Sequence, residues 1–190
     1  RQATVVDGTG GPRYQADVAI TGDRIIAIGD LHSRTAQTEI DAANLVLAPG
    51  FVDVHTHDDN ALLRDPAMTA KVSQGVTTVV TGNCGISLAP LVCGTPPPPL
   101  DLLAADDRDA FRFATFAAYV AAVEARQATV NAALMVGHST LRAATMDQLD
   151  RPATGAEIAD MRAHLREALQ AGAIGFSSGL FYPTSRRAPT

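Results

Sequence analysis

The chain has 190 residues, 46% of them hydrophobic, which is enough for one domain, or for one domain and part of another. Charged residues make up 18% and the formal net charge is −5, so the basic surface typical of nucleic-acid-binding proteins is missing. No apolar run approaches the roughly 18 residues of a transmembrane helix, and the first residues lack the apolar core of a signal peptide. We therefore expect a cytoplasmic protein that has neither a nucleic-acid nor a membrane partner.

Residues 1–48 are predicted to form part of a small β-sandwich domain. Short strands are expected at residues 17–21, 24–28, 39–40 and 45–47. The first two flank Gly22-Asp23, a two-residue turn that is typical of a β-hairpin.

Strands alternate with helices from Pro49-Gly50 onward. The pattern predicts strands at residues 51–54, 76–81, 130–136 and 173–176, and helices at 66–74, 116–126 and from a capping box at Thr154 and Glu157 to about residue 171. Such alternation implies βα units around a parallel sheet. Four units are half of a (β/α)8 TIM barrel, which typically needs about 250 residues. We therefore predict an α/β fold in which residues 49–190 are the first half of such a barrel, within a longer chain.

Potential metal ligands follow the first two strands of this predicted barrel. His55 and His57 come directly after strand 51–54, and alternation along a strand would place both on one face together with Asp53. Two neutral imidazoles at this spacing can bind one divalent ion, and they suit zinc. Cys84 follows the second strand and should lie at the same edge of the barrel. A coincidental His-x-His pair and a buried structural cysteine are the alternatives.

The segments that carry these residues resemble the amidohydrolase superfamily. Residues 49–57, PGFVDVHTH, are similar to its metal-binding strand. Many members bridge two metals with a carboxylated lysine after strand four, but Phe176-Ser177-Ser178 offers no lysine there. The D-aminoacylase (N-acyl-D-amino-acid deacylase) branch instead has a cysteine after strand two. Residues 73–87, 136–142 and 175–183 are similar to that branch almost throughout.

The resemblance implies a zinc-dependent enzyme that hydrolyses the amide of N-acyl-D-amino acids to a carboxylate and a free D-amino acid. It implies that Cys84 binds a tight catalytic zinc, while His55 and His57 line a second, weaker position. It also implies that Phe181 and Tyr182 face the small-molecule substrate. The remaining ligands, two histidines, and the catalytic aspartate would lie beyond residue 190, so no catalytic acid/base is expected in this segment.

Two alternative functions stay open. A sister amidohydrolase could act on an N-acyl-D-glutamate, an N-acyl-D-aspartate or a D-peptide, whereas a catalytically inactive relative could serve in assembly. Intact His55, His57 and Cys84 favour an active enzyme. His138, in a predicted loop after strand three, is interpreted as a structural or supporting residue. Arg142 and Arg186 are candidates for pairing with a substrate carboxylate, and the sequence does not indicate an oligomeric state.

Overall fold

The computed structural model describes residues 1–188, and no helix within this range is long and apolar enough to cross a membrane. The chain divides into two compact units, Arg1–Gly50 and Phe51–Thr190. The division lies two residues after the boundary expected from the sequence.

The first unit is a four-stranded sheet of order β3-β2-β1-β4. Its strands are β1 (Ala3–Val5), β2 (Tyr14–Thr21), β3 (Arg24–Gly29) and β4 (Val46–Leu47). The predicted hairpin is confirmed as the antiparallel pair β2–β3, with Gly22 in the left-handed region at φ +59°. The strand predicted at 39–40 is wrong, because the Glu39 carboxylate is held at 2.6 Å by the Arg1 guanidinium in an irregular segment.

The second unit contains a half-barrel of parallel strands in the order β10-β9-β6-β5, as predicted. Its strands are β5 (Phe51–Asp53), β6 (Val76–Thr81), β9 (Asn131–Gly137) and β10 (Gly175–Ser177), and a small antiparallel ribbon of β7 (Leu91–Val92) and β8 (Arg112–Phe113) follows β6. The first barrel strand is largely exposed. Phe51 is 64% exposed, since β5 is an edge strand with β6 as its single neighbour in the sheet.

Six helices accompany these strands in the described part of the chain. They are α1 (Ala61–Arg64), α2 (Thr69–Val72), α3 (Asp101–Ala104), α4 (Phe116–Arg126), α5 (His138–Thr145) and α6 (Gly155–Gln170). Thr115 caps α4 by accepting a hydrogen bond from the Ala118 N–H at 3.2 Å, and Thr154 and Glu157 form the predicted capping box of α6. The helix predicted at 66–74 is instead interrupted by Met68, whose φ is +47°.

The helices pack on the sheet around one apolar core. Val79 of β6 and Val136 of β9 are fully buried there together with Phe116 and Tyr119 of α4. This core fixes the strands, and therefore the segments that leave their carboxyl ends. The candidate metal ligands lie on these segments.

Candidate metal centre

Three side chains with metal-binding atoms converge at the carboxyl ends of β5 and β6. One donor atom from each of His55, His57 and Cys84 lies within 4.8 Å of the other two. The His55 Nε2 and Cys84 Sγ atoms are 3.0 Å apart, and the two imidazole rings meet edge to face with their centroids 5.8 Å apart. The proximity expected from the order of the strands is therefore present.

The histidines lie on the turn that follows β5. Because the strand ends at Asp53, alternation along it does not carry that carboxylate into the donor group. Asp53 instead accepts a hydrogen bond from Lys71 Nζ at 2.8 Å, and this contact lowers the pKa of the carboxyl group. Lys71 also pairs with Asp58 at 2.9 Å, so one ammonium group ties together the residues on both sides of the histidines.

Cys84 lies in a tight turn that follows β6, the segment Gly82-Asn83-Cys84-Gly85, which we call the cysteine loop. Gly82, Cys84 and Gly85 have φ values of +78°, +55° and +80°. A positive φ at a cysteine is a strained conformation that surrounding contacts must maintain. Asn83 supplies one such contact, since its amide Nδ2 donates to the carbonyl of Thr56, between the two histidines, at 3.3 Å.

The cysteine loop touches its neighbours backbone to backbone. A Cβ atom on Gly82 would lie 2.1 Å from the carbonyl oxygen of Met135 in β9. A Cβ atom on Gly179, after β10, would lie 2.3 Å from the carbonyl oxygen of Cys84. Both distances are far inside van der Waals contact. Glycine is therefore required at these positions for the loop to approach β9 and the segment after β10.

A buried acid that the sequence did not point to contacts the cysteine loop. Asp59 is fully buried, and burial raises the pKa of its carboxyl group to about 7. One carboxyl oxygen accepts a hydrogen bond from the Gly82 N–H at 3.3 Å, so Asp59 supports the start of the cysteine loop. Its own carbonyl accepts a hydrogen bond from the Tyr119 hydroxyl at 2.9 Å. The signal available in the sequence was an aspartate two positions after the second histidine.

The two aromatic residues assigned to substrate binding differ in their surroundings. The Phe181 side chain is 92% exposed, whereas Tyr182 is half-buried. Desolvation raises the pKa of the Tyr182 phenol, and the charge of Cys84 and a hydrogen bond to its side chain raise it further. The position of a Cβ atom on Gly179 lies 2.6 Å from the Tyr182 ring and 2.3 Å from the Cys84 carbonyl oxygen, so the ring is close to the cysteine loop. The Phe181 ring, with its centroid 6.5 Å from that of Tyr182, points outward.

The other polar residues considered from the sequence lie outside the donor group. The ring of His138 contacts the Ser178 hydroxyl at 3.2 Å, in keeping with a structural role, although its segment forms α5 and not the expected loop. The proposed pairing of Arg142 with a substrate carboxylate is wrong. Arg142 is 1% exposed, and its guanidinium donates to the carbonyl of Thr184 at 2.6 Å. Arg186 is exposed.

The donor set fits zinc. Two imidazole nitrogens and one thiol sulfur are borderline and soft ligands, whereas magnesium and calcium prefer oxygen. Partial burial and the neighbouring His55 lower the pKa of His57, which favours the neutral imidazole that a metal ligand needs.

Comparison with known sequences supports the same chemistry. Residues 38–189 match the model of the Amidohydrolase family. The chain is 59% identical over 187 residues to the D-aminoacylase of Alcaligenes xylosoxydans xylosoxydans, covering 98% of this chain and 38% of the relative. It is 56% identical over 188 residues to the N-acyl-D-aspartate deacylase of the same organism, covering 99% and 37%. The chain thus spans less than two fifths of the length of these relatives.

Solved structures of similar proteins contain metal. A D-aminoacylase structure described as having a binuclear metal centre, with one-metal activation and second-metal attenuation, superposes with a TM-score of 0.96 at 57% identity. The N-acyl-D-glutamate deacylase of Bordetella bronchiseptica, complexed with zinc and a phosphonate inhibitor, superposes with a TM-score of 0.91 at 42% identity. Each match covers 99% of this chain and 39% of the other.

Proposed function

The chain belongs to the amidohydrolase family, and from that premise we propose that the protein containing it hydrolyses the amide bond of N-acyl-D-amino acids. The products are a carboxylate and a free D-amino acid. The observation that carries the proposal is the convergence of His55, His57 and Cys84 at the carboxyl ends of two adjacent barrel strands, where barrel enzymes keep their active sites.

In this proposal the three donors serve two metal positions. Cys84 holds the tight catalytic zinc, because a thiolate is a softer and more strongly bound ligand than an exposed imidazole. His55 and His57 line a second, weaker position. The one-metal activation described for a similar D-aminoacylase agrees with unequal roles for the two positions.

In this proposal the residues of this chain bind the metal and orient the substrate, and the group that transfers the proton lies beyond residue 190. Zinc, when bound, supplies Lewis-acid polarisation of the amide carbonyl and a hydroxide nucleophile near neutral pH. In this proposal Tyr182, whose ring is close to the cysteine loop, contacts the polar end of the substrate, and the exposed Phe181 ring offers an apolar surface to the substrate side chain. None of these residues is assigned as the general acid/base.

Metal analysis of purified full-length variants tests the assignment of the donors. Cys84→Ala should lose the tight zinc and essentially all turnover, and Cys84→Ser should fare little better, since a hydroxyl is rarely ionised near neutral pH. His55→Asn and His57→Asn should keep most of the tight zinc, although activity falls. Stoichiometric zinc in Cys84→Ala together with its loss in the histidine variants would reverse the assignment.

Substrate assays test the reaction itself. The full-length protein should hydrolyse N-acyl-D-methionine or N-acyl-D-leucine in preference to the L enantiomers. Equal rates on both enantiomers, or activity on cyclic ureides only, would contradict the proposal.

A closely related second candidate is a deacylase for acidic N-acyl-D-amino acids. The 56% identity to an N-acyl-D-aspartate deacylase favours it almost as strongly as the 59% identity favours a D-aminoacylase. An acidic substrate needs a cation in its pocket, and burial removes Arg142 from that role, whereas Arg186 and Arg187 after β10 are exposed candidates among the described residues. Comparing kcat/KM for N-acyl-D-aspartate and N-acyl-D-methionine separates the two candidates.

A further inference from the structure

A single hydroxyl group links the two ends of the cysteine loop. The Ser177 Oγ atom, at the end of β10, donates a hydrogen bond to the carbonyl oxygen of Gly82. The same atom accepts a hydrogen bond from the Gly85 N–H at 2.9 Å. A serine hydroxyl has one proton to donate and lone pairs to accept, so both bonds form at once. Ser177 thus bridges the peptide groups on either side of Asn83-Cys84.

The cysteine loop needs such a bridge because its backbone does not favour its own conformation. Cys84 is held at φ +55°, where a residue with a side chain is strained. Just after the loop, the Ile86 N–H bonds to the Asn83 carbonyl at 2.9 Å, which closes a single turn but does not involve the Gly82 carbonyl. The Ser177 hydroxyl reaches the Gly82 end and the Gly85 end from a different strand.

The bridge comes from far along the chain. Ser177 is 95 residues from Gly82, and β10 is separated from β6 in the sheet by β9. Ser177 is half-buried. Both of these hydrogen bonds join its hydroxyl to the backbone of the loop, and neither involves a metal-binding atom. Its role is therefore distinct from those of the three donors.

We propose that Ser177 is a positioning residue that fixes the Cys84 thiolate for metal binding by bridging Gly82 and Gly85. The inference rests on the proposed function in one respect, the assignment of Cys84 as the ligand of the tight zinc. Removal of the hydroxyl releases the loop, and the sulfur then spends less time in the position that binds the ion. Lost supporting hydrogen bonds around metal ligands typically weaken metal binding about 10–100-fold.

The experiment measures zinc affinity in the full-length protein by competition with a chelator. Ser177→Ala should bind zinc at least about 10-fold more weakly than the wild type. Ser177→Thr keeps the hydroxyl on a strand position that suits a β-branched residue, and it should restore most of the affinity. Cobalt substitution gives a second readout, because the thiolate-to-cobalt charge-transfer band should weaken or shift in Ser177→Ala and return in Ser177→Thr.

Thr129→Ala is the matched control. The Thr129 hydroxyl also joins two βα units, by donating to the Ala67 carbonyl at 2.5 Å, but it precedes β9 and so lies at the opposite end of the sheet. This variant should keep wild-type zinc affinity and the wild-type cobalt spectrum. A loss of affinity equal to that of Ser177→Ala would show that destabilisation alone weakens the site, and it would overturn the inference.

Cys84→Ala, measured in parallel, separates the two proposals. If Cys84→Ala retains the tight zinc, the assignment of the ligand fails, and the role of Ser177 fails with it. If Cys84→Ala loses the zinc while Ser177→Ala binds it as the wild type does, only the inference about Ser177 is refuted.

Discussion

Replacing Gly137 with alanine is a sharp test of how closely the cysteine loop is packed. Gly137 has φ −93° and ψ 137°, which any residue adopts, so the substitution causes no backbone strain of its own. Its new Cβ atom would nevertheless lie 2.4 Å from the Gly85 carbonyl carbon, about 1 Å short of ordinary contact at 3.4 Å. The atoms nearest to this Cβ position belong to the backbone of Gly85 and Ile86. Because no side chain can rotate away, the cysteine loop must shift.

The expected cost is at the upper end of the range for overpacking, about 3 kcal/mol in the free energy of unfolding. Urea denaturation of the full-length protein measures this cost, and chelator competition should show weaker zinc binding because the shift displaces Cys84. Gly155→Ala is the control: nothing lies within 4 Å of its Cβ position at the start of α6, and it should stabilise by about 0.5 kcal/mol. Wild-type stability and zinc affinity in Gly137→Ala would refute the close approach.

Two further predictions concern charged residues away from the donors. Arg142→Met should lower the free energy of unfolding in urea by about 3 kcal/mol, because it leaves the Thr184 carbonyl and two other carbonyls without their charged donor. Arg166 is exposed, so Arg166→Met should change stability by less than about 0.5 kcal/mol. Equal effects of the two substitutions would contradict the burial argument. Hydrogen bonds from Arg151 lower the pKa of Glu157 from 4.5 to about 2. The stability that ionised Glu157 contributes to the fold is therefore present above pH 4.5 and is lost as the pH falls toward 2. The stability difference between wild type and Glu157→Gln should shrink over that range, and a difference independent of pH would exclude this linkage.

Much of the fold was predictable because its signals are local. The turn at Gly22-Asp23 and the capping box at Thr154 and Glu157 depend on residues within four positions of one another, and both elements form as expected. The helix expected at 66–74 failed because one residue, Met68, adopts a left-handed conformation that no local pattern indicated. The alternation of strands and helices still predicted the parallel half-barrel.

Helix α5 shows a different limit of local reasoning. The segment after β9 begins with polar residues that favour loops, because their side chains compete for backbone groups. In the structure these side chains bond to other elements instead: the Ser139 hydroxyl contacts that of Ser185 at 2.7 Å, and Thr140 Oγ1 accepts from the Ser87 N–H at 2.8 Å. Tertiary partners therefore removed the competition, and the backbone became helical.

The donor atoms of the candidate site were predictable, but the groups that hold them were not. His55, His57 and Cys84 follow two strands, and the geometry of a parallel sheet is enough to bring them to one edge. Asp59 and Ser177 act through backbone groups of the cysteine loop, at sequence separations of 23 and 95 residues. Those contacts depend on the register of the strands, which composition and spacing do not determine.

The separation between donors and supporting groups bears on how the site forms. The first two βα units carry all three donor atoms, yet the cysteine loop is bridged by β10 and packed against the backbone of β9. Each of these contacts requires a parallel pairing between strands that are distant in sequence, and such pairings form late because of the loop entropy they cost. The Cys84 side chain therefore reaches its position only when all four strands of the half-barrel are in register. If Cys84 binds the tight zinc as proposed, metal binding is coupled to the folding of the entire half-barrel, and zinc should stabilise β10 although that strand contributes no donor atom.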